Sequence, residues 1–568
     1  LWKGKYATYG NTKKDKFNGT LIIHIPGKPE NSGTLYDMNE KGQGTSSMLY
    51  FWWNGQWGFN EDGYWVDENG VNRGKCYQLT NDVPGALKLV GKVNFASSAQ
   101  SHKIGSTALF NDLFKAVCGG NSITNTEGFE NCRVAVLQKP FLFFVQEDEN
   151  SEPQFKSFMT FGPGKGDKPT FGYDKTKFPD YVCLEGADND RALVMCRVPW
   201  IDEDVTLEGE EDWMYNGEKQ MSLVFGDTNK IAPIKSGFNF VFKHYDNIDY
   251  FNGTIEDLNA AENLDTSKHY WLTKAGRNNA QFDLFRYDFI TSTWVGAGTE
   301  KIENGRYSTV NINEQCGNIA SGTDWDAINS SFKTARIALF KADAGKYFNL
   351  TETHFAMNFC KLIAASDNRG KNIYFYVDPK THLIGWHQDD LDTIFPVNNV
   401  GQREKPYYVE EHDKNNDGGF YWNSEGNALF NQMENAFPDE LRTNMRSILQ
   451  AMLKLSDDGT LMGCMEKYYF YVQRYFPAVA YNEVARLVYE RARTAYVSSD
   501  PENKYTNGTD PITQSLGDGL QAEMQWVARR LTYISSYAAF GDFGRRDGEG
   551  SAGSLNFRSV IKTDGTRP

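Results

Sequence analysis

The stretch from residue 349 to 401, NLTETHFAMNFCKLIAASDNRGKNIYFYVDPKTHLIGWHQDDLDTIFPVNNVG, constrains this chain more than any other. It opens on a helix: Thr351 or Thr353 serves as N-cap, and Phe355, Phe359, Leu362 and Ile363 recur at i, i+3/i+4 spacing. The polar run Ser366-Asp367-Asn368-Arg369-Gly370 is expected to end that helix, with Gly370 free to take a positive φ. Two aromatic, β-branched runs follow, residues 373–377 and 382–386, joined by the Asp378-Pro379-Lys380 turn. Beyond the second lie Asp389, Asp390 and Asp392.

Helix, polar loop, hairpin and acidic cluster is the order found in the catalytic half of kinase-like folds. A kinase catalytic loop places an Asp, then an Asn five residues on as a metal ligand, and a further metal-holding Asp past the next hairpin. Asp367 and Asn372 are five apart here, and Asp390-Leu391-Asp392 follows the hairpin. In an extended chain Asp390 and Asp392 point to one side, where both face one cation. The same residues also suit a capped loop and a solvated acidic turn.

The segment DNRGKNIYFYVD…GWHQDDLDTIFPVNNVG resembles the core of the CotH kinase-like family, an atypical kinase fold named after spore coat protein H. It is closest in kind to the branch of that family carried on bacteriophage virion proteins. Asp367, Lys371-Asn372, Asp390-Leu391-Asp392-Thr393 and Asn398-Asn399-Val400-Gly401 occupy the family's motif positions. One departure stands out: the Gly usual soon after Asp-x-Asp-Thr is absent, and Pro396 stands nearby. The resemblance implies an α+β, two-lobe kinase-like domain. In it Asp367 is the catalytic residue, Asn372, Asp390 and Asp392 hold Mg, and a lysine neutralises the phosphates of ATP.

The remainder divides into an aromatic β-rich module at 1–75, an N-lobe-like α+β region with insertions at 76–345, the catalytic-type loop with a helical C-lobe at 346–540, and an extended tail at 541–568. Trp-, Tyr- and Gly-rich runs broken by Asn-Gly and Asp-Gly make the first segment a set of hairpins. Asp67-Glu68-Asn69-Gly70, and later Asp413, Asn415, Asp417 and Gly418, suggest calcium loops, but the rest of the spacing fails in both. In the second segment a strand leads to a helix over 104–117, and strands are expected at 133–138 and 141–146. Asn94-Phe95-Ala96-Ser97-Ser98, that helix and a hairpin ending in Glu147 follow the family's N-lobe order. Lys92, on the strand before the helix, is one choice for the phosphate-pairing lysine. Lys165, between Gly164 and Gly166 in FGPGKGDKPTFGYD, is the other, since close glycine N–H groups with a lysine can cradle phosphate. Residues 270–298 read as a strand pair or meander and 325–340 as a helix. Helical patterns then dominate to about residue 540, closing on a Trp526-x-x-x-Arg530 helix of the kind the family carries.

Composition bounds the function. A chain of 568 residues with 40% hydrophobic and 14% aromatic residues can bury a large core. Its net charge of −15 argues against broad nucleic-acid binding, which needs a basic surface. No apolar run reaches the about 20 residues of a membrane span. Eight cysteines without CxxC or zinc spacing read as reduced and mostly buried, in keeping with folding in a reducing cytoplasm. Starting at Leu1 without methionine, the chain reads as a processed product or a piece of a longer polypeptide.

Two functional classes follow. One is a bacteriophage virion structural protein, part of a tail or tail-end assembly, made in the host bacterial cytoplasm and partnered by other virion proteins and by copies of itself. The other is an active Mg- and ATP-dependent atypical protein kinase. Leu555, Phe557, Val560 and Ile561 in the Gly/Arg-rich tail are spaced as a strand added to a neighbour's sheet would be, which favours a symmetric homo-oligomer.

Overall fold

The computed structural model describes residues 1–7, 15–43, 54–80, 85–92, 101–119, 135–164, 182–186, 212–215, 218–225, 248–251, 255–266, 269–272, 281–288 and 291–303. It further describes 306–307, 341–342, 344–346, 348–365, 368, 372–378, 381, 383–397, 405–408, 433–469 and 516–540.

Eight strands fill the first part: β1 Trp2–Lys3, β2 Phe17–Ile23, β3 Gly33–Gly42, β4 Gly55–Asp67, β5 Asn72–Gly74, β6 Lys88–Lys92, β7 Lys139–Gln146 and β8 Gln154–Pro163. They run β3-β2-β1-β7-β8-β6-β4-β5, and β3 also pairs with β4. Seven strands therefore close into a barrel, with β5 on its rim. Side-chain alternation sends Trp2, Leu21, Leu35, Trp57, Trp65, Phe143, Val145, Met159 and Phe161 into one buried cluster. Gly91 makes room for it, because a Cβ there would lie 2.4 Å from Met159 Sδ and 2.9 Å from Trp57. The expected boundary near residue 75 falls inside this sheet, since β4 pairs with β6.

The strand expected at 141–146 is present within β7, but the one expected at 133–138 is corrected over its described part, 135–138. β7 pairs with β8, whereas Ala135 makes a single bridge to Gln388. Ala135, Val136 and Gln138 are buried without forming a strand, and this segment leads toward a different sheet. In the first turn of the barrel's β4–β5 connection, Asp67 accepts from Val71 N at 2.8 Å and pairs with Arg73 at 2.8 Å, so it staples a hairpin.

A second sheet runs β10-β11-β9-β17-β18, from β9 Val182–Gly186, β10 Asp212–Tyr215, β11 Glu218–Phe225, β17 Ile373–Val377 and β18 Ile384–Gln388. A third holds β12 Ile248–Phe251, β13 His269–Leu272, β14 Gln281–Asp288, β15 Thr293–Glu303 and β16 Arg306–Tyr307. Its antiparallel β13-β14-β15 part is the meander expected from the sequence. The helix expected at 325–340, the loops at 413–418 and the tail at 541–568 lie outside the described residues.

Six helices lie among the described residues: α1 His102–Cys118, α2 Ile255–Ala260, α3 Leu350–Ile363, α4 Pro438–Leu455, α5 Leu461–Tyr469 and α6 Leu516–Tyr537. α1, α3, α4, α5 and α6 share one apolar core, in which Phe110, Phe114, Phe355 and Phe359 meet edge to face around Phe110 and Phe355. Leu391, Ile394 and Phe395 of the loop after β18 enter the same core. The acidic loop is thereby anchored by its own apolar residues. Cys118, Cys360 and Cys464 are buried and Cys76 is exposed, and these four cysteines are not joined in disulfides. Among the described residues no helix is long and apolar enough to cross a membrane.

Candidate functional site

Helix α3 begins on Asn349, whose side chain accepts from Glu352 N at 3.3 Å, so neither Thr351 nor Thr353 is the cap. The helix ends on Ala364 at φ 51°, rather than at a glycine further on. Left-handed backbone at a non-glycine residue costs about 1 kcal/mol and persists only when its surroundings impose it. Here the surroundings are two basic side chains. Lys405 donates to Ala364 O, and Arg530 donates to Lys361 O at 2.5 Å. Both lie at the negative end of the α3 dipole. Lys405 is 2% exposed, and burial, reinforced by Arg530, pushes its amine well below the usual lysine range.

From α3 the chain passes through 365–372 into β17 and β18, which pair in register from Ile373↔Gln388 to Val377↔Ile384. The hydrogen bond from Asp389 N to Asn372 O, 3.0 Å, extends that pairing by one step. Asn372 and Asp390 flank it, both left-handed at φ 55° and 53°. Asx residues tolerate this conformation best. Asp390 and Asp392 do not alternate along an extended strand. Asp392 N donates to Asp390 O at 2.8 Å, a tight turn that re-aims the two side chains.

Asp390 is the centre of charge. Its Oδ2 lies 2.5 Å from Lys92 Nζ and its Oδ1 2.8 Å from Lys103 Nζ. Lys103 Nζ is also 3.6 Å from Asp389 Oδ1. Burial alone would raise the Asp390 carboxyl, but Lys103 and then Lys92 hold it far below the usual carboxylate range. Burial alone would lower Lys103; Asp390, Asp389 and Asp392 reverse that and raise it. Alternation on β6 explains how Lys92 arrives. Leu89 and Gly91 face the barrel interior, so Lys92 emerges on the opposite wall.

Of the residues singled out in the sequence, Lys92 and Asp390 meet directly, and Asn372 and Asp392 sit within two positions of Asp389 or Asp390 in space or chain. Gly164 does not join them: its N–H donates to Lys88 O at 2.8 Å, so it is spent on the sheet and does not face a phosphate. Asp367, Lys165 and Gly166 lie outside the described residues. Sequence reasoning missed Lys103 and His102, and it named Asp389 in the acidic cluster without giving it a role. A signal for Lys103 was present, because α1 has no acidic residue in its first turn and carries a lysine where the helix dipole disfavours one. That placement makes sense only beside anions.

The Mg implied by the family resemblance does not fit this arrangement. Both oxygens of Asp390 are taken by lysines, and no group of three His, Cys, Asp or Glu among the described residues is disposed to hold a metal.

The chain matches no protein-family model and no curated protein.

Proposed function

We propose that this chain is a bacteriophage virion structural protein that reuses a CotH kinase-like fold as a building block. Its kinase-like site serves as an ionic lock between the barrel, helix α1 and the acidic loop. The observation that carries this reading is the double clamp on Asp390, with lysines from two separate elements on its two oxygens. A carboxylate so neutralised ties elements together instead of presenting charge to a ligand. The absent glycine after Asp-x-Asp-Thr and the nearby Pro396 support the same reading. Its partners are other virion proteins and further copies of this chain, in a homo-oligomer assembled in the bacterial cytoplasm.

Incubation with ATP, a divalent cation and a generic acceptor protein tests the lock. Transfer of labelled phosphate by the wild type that Asp390→Ala abolishes would overturn it, and equal background from both supports it. Mass spectrometry of purified particles tests the setting, since absence of the chain from virions would remove the structural reading. The convergence of Lys92 with Asp390 also favours a second reading, the atypical protein kinase, in which an incoming anion takes the lysines from Asp390.

A further inference from the structure

We infer that His102 and Glu523 form a positioning pair through which the C-terminal helix α6 sets the acidic loop. The inference rests on the 389–392 loop being the functional element of the proposed reading.

His102 is fully buried at the first position of α1. Its Nδ1 lies 3.0 Å from Asp392 O and its Nε2 lies 2.7 Å from Glu523 Oε1. A carbonyl oxygen can only accept, so Nδ1–H donates to Asp392, and the remaining contact holds a proton between Nε2 and the Glu523 carboxyl. Glu523 is 1% exposed, so this contact is shielded from solvent competition. One imidazole thus spans from a helix near the chain's end to the backbone of the loop that aims Asp390 at its lysines.

The link is part of a seam. Glu523, Trp526 and Arg530 recur at i, i+3 and i+7, which places them on one face of α6. Trp526 Nε1 donates to Lys405 O at 2.6 Å, and Arg530 donates to Tyr407 O at 2.9 Å and to Lys361 O. Lys405 in turn donates from its backbone N to Pro396 O at 3.0 Å and from Nζ to Ala364 O. Trp526 and Arg530 therefore hold the far end of the loop and the end of α3, while Glu523 holds its near end through His102. A purely apolar helix would bury this core equally well. Trp526 and Arg530 reaching backbone carbonyls at Lys405, Tyr407 and Lys361, with Glu523 reaching Asp392 through His102, specify where the loop sits against α3.

Native-state hydrogen exchange on the full chain tests the pair. The amides of Asp389, Asp392, Phe395 and Val397 each donate to a backbone carbonyl and report the loop. The amides of paired strands β4 and β6 report the barrel. His102→Leu and Glu523→Leu are expected to speed loop exchange by about tenfold or more while barrel amides stay as in the wild type. His102→Asn keeps a donor near the Nδ1 position and should restore protection at Asp392, and Glu523→Gln should stay close to wild type. Loop protection unchanged in both leucine variants would overturn the inference, as would loop and barrel amides losing protection together. If the leucine variants fail to fold, His102→Asn decides: exchange at Asp392 as fast as that of an unstructured peptide amide overturns the pair. Phosphate transfer by the wild type would overturn the ionic lock yet leave these exchange rates as expected.

Discussion

Replacing Asp390 by Asn removes the charge at the centre of the lock while keeping a residue that tolerates φ near 53°. The variant leaves Lys103, with a side chain only 3% exposed, facing Asp389 at 3.6 Å as its nearest remaining carboxylate. Breaking a buried ion pair by removing one partner costs about 3–5 kcal/mol. Asp390 is itself 22% exposed and Asp389 partly compensates, so the lower end, about 3 kcal/mol, is expected. Lys92→Met should cost only about 1 kcal/mol, since both partners of that pair reach solvent at 18% and 22% exposure. Lys103→Met combined with Asp390→Asn should be less damaging than the sum of the two by about 2 kcal/mol, the mark of a coupled pair. A chain of this size need not unfold in two states, so the cycle is best read from exchange protection of the β17 and β18 amides. Raising salt to about 1 M should weaken the Lys92 coupling and leave the Lys103 coupling nearly intact, because burial excludes screening ions. Asp390→Asn within about 0.5 kcal/mol of wild type, with no coupling to Lys103, would refute the lock.

Three further outcomes follow from the geometry. Gly385→Ala should destabilise the β17–β18 hairpin severely, because its Cβ would sit 2.3 Å from both Glu352 Oε2 and the Tyr376 ring; a melting temperature near wild type would show that this buried pair can give way. Glu40, fully buried in the barrel, accepts from Ala7 N, and burial raises its carboxyl to about 7. Its folded value exceeds its unfolded one, so its contribution is full below about 4.5 and is lost as pH rises to about 7, about 3 kcal/mol in all. Glu40→Gln should flatten the fall in melting temperature over that window. Burial likewise lowers His354 to about 4, so stability falls as pH drops from 6.5 toward 4, again by about 3 kcal/mol. His354→Phe, which keeps a tilted ring contact with Phe437, should remove that acid limb in a pH series of melting curves.

Local order was legible where one period dominated. α3, β17 and β18 lie within a few residues of their expected positions, because a helical apolar stripe and two aromatic, β-branched runs leave little choice. Pairing was not legible. β1 is two residues long and lies parallel to β7, with Trp2 opposite Val145, a contact across most of the barrel sequence that no local pattern records. The run ahead of Pro140 looks like a strand by composition, yet Pro140 itself sits in β7, opposite Thr160. It is tolerated because β1 reaches only Val145 and Gln146 on the other edge, so the missing N–H breaks no ladder there.

The site was half legible for a related reason. Carboxylates clustered after a hairpin can be seen in the chain, but what neutralises them is set by tertiary approach. Lys92 and Lys103 are nearly 300 residues from Asp390, and Glu523 lies on the last described helix. The same distance explains the backbone. Ala364, Asn372, Asp390 and Phe395 are all left-handed without being glycine, which no local preference would select together. Each is held by a distant group: Ala364 by Lys405, Asn372 by Asp389, Asp390 by two lysines, Phe395 by Ile363 O and the rings of His102 and Tyr469. A loop whose strained positions are each imposed from a different element is over-determined. Its rigidity is therefore a property of the assembled fold, and that is where a lock, unlike a substrate loop that must open, would be expected to keep it.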